Sequence, residues 1–168
     1  TASVSTDGSQ WTTVGSDSIT LPSTVLVGLA VTSHDASAIA TATFDNVAVI
    51  GGGQSPTQSQ SLPSGWTSED LGDVGLAGSV SIAGGAVQVQ GAGADIWGTA
   101  DAFHFVSRTL SGDGDIIARV ASVSGTNDWT KAGVMMRMTF DVGSPHAFML
   151  VSLKNKLAFQ RRTVAGGD

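Results

Sequence analysis

Polar and apolar residues alternate along short stretches of this chain, at the two-residue period of a strand rather than the 3.6-residue period of a helix. Residues 86–90, AVQVQ, put Val87 and Val89 on one face and Gln88 and Gln90 on the other. The preceding AGG turns this segment back toward SVSI, which predicts a hairpin. Further strands are predicted in FHFVSRTL (103–110), DIIARVASV (115–123), AGVMMRMTF (132–140), HAFMLVSL (146–153) and KLAFQRRTV (156–164), separated by SGDGD, SGTND, DVGSP and LKNK turns. Near the start, QWTTVG, TVLVGLAVTSH and ATATFDNVAVI add three more. Short strands at regular spacing with Gly, Asp and Asn turns predict an all-β chain, an antiparallel β-sandwich or jelly roll.

One tract breaks the rhythm. Residues 51–63 are poor in apolar side chains and rich in Gly, Gln, Ser and Pro, the composition of a flexible tether. The segment before it is too small to hold a core of its own. Yet TVLVGLAV is apolar at both parities, so that strand must be covered on both faces, in the middle of a larger packed structure.

Composition narrows the function classes. A chain of 168 residues suits one domain, able to bury about 70% of its unfolded surface. Only 13% of residues are charged, against 41% hydrophobic, with Gly, Ser, Thr and Ala filling the gap, as in secreted β-proteins. A net charge of −6 argues against nucleic acid. Without cysteine there is no disulfide, thiol catalysis or thiolate zinc site, although this does not fix the compartment. Apolar runs such as Val25–Val31 are too short for a helix to span a bilayer. The chain has neither an initiator Met nor a signal peptide and reads as a piece of something longer.

Six stretches carry a resemblance. GWTSEDLGDVGLAGSVSIAGGAVQVQGAGADIWGTADAFHFV, with LSGDGDIIARV, WTKAGVMMRM, HAFMLV and LAFQRRT after it, resembles the opening two-thirds of a bacterial module in the concanavalin A-like lectin/glucanase superfamily, of the enolase-regulation-protein-like branch. STDGSQWTTVGSDSITLPSTVLVGLAVTSHDASAIATATFDNVAV resembles the closing third of the same module. The order is inverted, and the one or two strands that join QRRT to STDG in that family are missing. The resemblance thus implies that residues 1–50 are the C-terminal strands of one sandwich, 51–63 the linker, and 64–168 the N-terminal two-thirds of the next. Residues 1–50 can complete a sandwich with 64–168 of their own chain, across a tether spanning about 20 Å, or with another copy, giving head-to-tail arrays. The tether and the missing strands favour exchange between copies.

The chemistry points to binding rather than catalysis. Glycosidases of this superfamily need a carboxylate pair, and the chain has one glutamate, Glu69, and no E-x-D-x-E strand. Asp113/Asp115 and Asp70/Asp73 lie in Gly-rich contexts and read as turn formers. His34, His104 and His146 are dispersed, and no G-x-S-x-G elbow is present. GAGADIWG lacks the helix and Lys-Ser/Thr of a phosphate loop. Three histidines on separate strands are a minor candidate for a metal, and the resemblance adds a structural Ca²⁺, with DGD and SHDAS as candidate turns. The resemblance and strand parity together place Trp97, His104, Arg137 and Gln160 in one exposed patch opposite the core, where planar donors and an aromatic, Trp97 or Trp129, would meet a sugar. Taken singly, each of these two tryptophans is expected in the core. The expected function is a non-catalytic carbohydrate-binding module of a larger secreted multimodular protein. The alternative is a structural or adhesive tandem repeat forming a filament, with neighbouring copies as partners; a glycoside hydrolase is the least favoured.

Overall fold

The computed structural model describes residues 1–51 and 62–168. The tether expected over 51–63 therefore lies outside the described residues, apart from Gly51, Leu62 and Pro63. In chain order the strands are β1 (Ala2–Val4), β2 (Thr12–Gly15), β3 (Thr24–Thr32), β4 (Asp35–Gly51), β5 (Trp66–Leu71), β6 (Ser79–Ala83), β7 (Ala86–Gly93), β8 (Phe103–Ser111), β9 (Gly114–Ser124), β10 (Lys131–Arg137), β11 (His146–Ser152) and β12 (Lys156–Arg162). The described residues contain no helix. The β6–β7 hairpin turns on Gly84 and Gly85, with φ of 58° and 81°. Positive φ at both central residues gives the turn the twist that antiparallel strands need.

Two antiparallel sheets pack face to face. One has six strands in the order β12-β11-β10-β3-β8-β5, the other four in the order β6-β7-β4-β9. β3 lies between β10 and β8, with Val27 opposite Met136 on one side and Arg108 on the other. β4 lies between β7 and β9. In this chain the segment before the tether therefore supplies a central strand to each sheet, pairing with residues 62–168 of the same molecule.

The two-sided apolarity of β3 is matched on both faces. Leu29 and Val31 point between the sheets and pack with Val106 and Ala132 against Ala40, Ala42, Phe44 and Val89. Val25 and Val27 extend that layer with Leu110. On the opposite face Ala30 joins Phe103, Phe105, Met135, Phe148 and Leu150 in a second apolar layer, capped by Ile96 from the β7–β8 loop. β10 ends at Arg137, three residues short of the strand predicted over 132–140, so Phe140 stands in a loop and is 43% exposed.

Two strands escape the sequence pattern. β1 is three residues long and pairs only with β2. β5, sequence WTSEDL, is largely polar because it is the edge of the six-stranded sheet. The other edge, β12, is flanked by the β1–β2 hairpin: Gly15 lies against the Phe159 ring, and Arg161 pairs with Asp17.

Two outcomes follow from this closure. Light scattering at micromolar concentration is expected to give a monomer mass, and a mass that grows with concentration would mean residues 1–50 are exchanged between copies. Phe44→Ala, at a fully buried site of β4, is expected to lower stability in urea titration by about 3–5 kcal/mol.

Candidate functional site

The expected ligand patch is not assembled. Arg137 and Gln160 lie on the outer face of the six-stranded sheet, but His104 shares the inter-sheet face with Val106 and is 2% exposed. Arg137 is fully buried. The parity of Arg137 was legible; the cover over it was not. The β7–β8 loop lies across that face, its Ile96 in the apolar layer and its Asp101 beside the arginine. Gln160, opposite Phe148, is half-buried, and its Oε1 has no hydrogen-bond partner among the described residues.

Asp101 anchors this cover. Its Oδ2 accepts from Arg137 Nη1 at 3.2 Å and Arg162 Nη1 at 2.9 Å, and its Oδ1 accepts from Arg162 Nη2 at 2.7 Å. Two buried guanidiniums against one carboxylate would leave an uncompensated charge, which is costly in a dry interior. Backbone carbonyls offset it: Arg137 donates to Thr139 O and Asp141 O, and Arg162 to Gly98 O, Ser144 O and Gly167 O. Three loops, 94–102, 138–145 and 163–168, are thereby tied to the sheet. Burial pushes the Arg137 guanidinium below its ordinary range, and Asp101 pulls it back. Burial also lowers His146, beside the same carboxylate, to about 4, with Arg137 and Arg162 adding to the effect.

The accessible chemistry gathers at one end of the sandwich. There the β3–β4 turn, the β7–β8 loop and the β9–β10 loop meet. Thr130 Oγ1 donates to Ser33 O at 3.0 Å, and Asn127 Nδ2 to His34 O at 3.5 Å. His34 takes φ of 59°, a conformation His tolerates better than most residues. Its Nδ1 lies 3.2 Å from Asp95 Oδ2, while Asp95 Oδ1 sits 2.6 Å from the Lys131 ammonium. Trp97 holds its ring 5.4 Å from the same ammonium, a cation–π arrangement. Trp97 is 63% exposed and Trp129 is 52% exposed, so neither is the core residue expected of it. An Asn127 carboxamide oxygen accepting from Trp129 N at 2.9 Å fixes the turn that presents Trp129.

A second constellation has no counterpart in the sequence reading. Asp70, expected in a turn, lies in β5 opposite His104 of β8. His104 Nδ1 is 2.7 Å from Asp70 Oδ1, and its Nε2 is 2.8 Å from Ser68 Oγ. Ser68 and Asp70, two apart on one strand, share a face by parity, but only the β5–β8 register brings the imidazole to them.

Among the described residues no three His, Asp or Glu side chains converge as a metal site would require. In the SHDAS turn, Asp35 Oδ1 accepts from Ser37 N and Ser37 Oγ. Comparison with protein families, with characterised proteins and with solved structures returns no match for this chain.

His146 sets a pH dependence whose sign is fixed. The unfolded chain takes up a proton at His146 below its ordinary value of 6.5, whereas the folded protein does so only near pH 4. Its contribution is therefore complete above pH 6.5 and lost as pH falls toward 4, at most about 3 kcal/mol. Denaturation curves at pH 7 and 4.5 should show this loss, and His146→Gln should lessen it.

Proposed function

We propose that the chain is a carbohydrate-binding module of a larger extracellular protein, with its ligand at the open end of the sandwich rather than on the sheet face. The observation that carries this reading is two exposed tryptophans at that end, Trp97 against the ammonium of the fixed Asp95–Lys131 pair and Trp129 in the adjoining β9–β10 loop. A pyranose presents an apolar C–H face and a rim of hydroxyls. Indole rings suit the face, and side chains already held in place suit the rim, because little freedom is lost on binding. Asp95 accepts hydrogen bonds, and His34 and the Asn127 carboxamide can donate or accept.

Binding without glycosidic cleavage fits the carboxylates. Cleavage needs two, one of them protonated, on either side of the scissile bond. Asp95 is committed to Lys131, and Glu69 lies on β5, in the edge strand of the sheet. No reducing sugar is expected from β-glucans or galactans, and release abolished by Glu69→Gln would overturn this.

Glycan-array screening followed by calorimetry on a retained polysaccharide tests the reading. Trp97→Ala and Trp129→Ala are each expected to weaken binding about 10- to 30-fold, the effect of truncating an aromatic anchor. Thermal melting should change little, because both rings are exposed. A protein that retains no glycan, or variants that bind as the parent does, would defeat the assignment.

A further inference from the structure

The β5–β8 edge carries the parts of an acyl-transfer site. Ionised Asp70 can only accept, so the 2.7 Å bond requires the proton on His104 Nδ1. Nε2 is then the bare nitrogen, and the 2.8 Å contact with Ser68 Oγ has the serine donating to it. A hydroxyl donating to an imidazole, itself oriented by a carboxylate on its other nitrogen, is the arrangement by which a serine becomes a nucleophile.

The surroundings hold this relay in place. Asp70 is fixed from behind by Gly78 N–H, 3.1 Å from Oδ1 and 3.0 Å from Oδ2. A Cβ at Gly78 would collide with the His104 ring, and one at Gly91 would meet His104 Cβ, so two glycines make the space the imidazole fills. The ring is 2% exposed, but Ser68 is only half-buried and the Asp70 side chain keeps 28% of its surface. The nucleophile end of the relay thus reaches the sheet edge. Trp66 gives its N–H to Pro63 O at 3.1 Å rather than across to β8. Alternation along an edge strand then turns the Ser68 N–H outward as well, where it can meet an oxyanion.

We propose that Ser68 and His104 are catalytic residues, with Asp70 positioning, for hydrolysis of esters with short acyl groups such as acetyl. Ser68 Oγ bonds to the ester carbonyl carbon as its proton passes to His104 Nε2. The carbon–alkoxide bond then breaks, and Nε2 protonates the departing alkoxide. Water attacks the acyl-serine, giving its proton to Nε2, and Ser68 recovers a proton as the carboxylic acid leaves. The short acyl group follows from the opening, a strand edge with an enclosed imidazole behind it. This activity does not rest on the sugar reading, whose residues lie on other elements.

The test uses the whole 168-residue chain with a fluorophosphonate probe and p-nitrophenyl acetate. One adduct per chain, mapped to Ser68 by peptide mass spectrometry, is expected. Nitrophenol release should be lost in Ser68→Ala and fall on the order of 10³-fold or more in Asp70→Asn, whose geometry survives but whose tautomer control does not. No adduct at Ser68 in the unsubstituted chain, a result that needs no variant to fold, would overturn the proposal. Equal release by a folded Ser68→Ala would do the same. Retention on a glycan is measured separately, so each activity can fail alone.

Discussion

The constraint on which the structure depends is that β3 has no polar face. A strand apolar at every position from Val25 to Val31 must be covered on both sides. Val25, Val27, Leu29 and Val31 are covered by the four-stranded sheet. Ala30 has no second sheet over it: it lies among Phe103, Phe105, Met135, Phe148 and Leu150 of its own sheet, and Ile96 of the β7–β8 loop caps that layer. That is why the β7–β8 loop lies across the outer face, and why Asp101 is buried with two arginines. Arg137, a candidate ligand residue in sequence terms, instead helps fasten the lid over the strand.

Much of this architecture was legible, because it rests on parity. Val87 and Val89 face the core while Gln88 and Gln90 pair outward with Thr43 and Thr41, as the AVQVQ alternation predicts. β5 was not legible, because an edge strand with one exposed side carries Thr, Ser, Glu and Asp in place of a clean alternation. Of the expected site, Trp97 is exposed but in a loop, where strand parity has no authority. Arg137 points to the predicted face and is nonetheless inaccessible, since which loop folds over a sheet is a tertiary fact. His104 has the parity of Val106, a hint that it belongs inside. Its partners Ser68 and Asp70 are thirty-odd residues away along the chain, and no short motif records a register between strands.

The two candidate sites use the fold differently. At the open end, loops are held by polar side chains, so rigid donors can stand beside exposed indoles. At the β5 edge the geometry comes from the ladder itself: directly opposed residues of an antiparallel pair sit close, and an edge strand keeps half of its backbone free. Neither site needs the apolar layers to move, and both depend on those layers being complete.

Placing β3 and β4 at the centres of the two sheets also shapes how the chain folds. β3 is made early and its partners late: Thr24 pairs with Ser111, and Thr32 with Lys131. Such long loops must close before their contacts give anything back, which makes folding slow. During synthesis at about 5–20 residues per second, TVLVGLAV waits unpaired for several seconds until β8 and β10 emerge. A strand apolar on both faces is then at its most adhesive, and a tandem array of such segments on one ribosome would offer each a foreign β8 before its own.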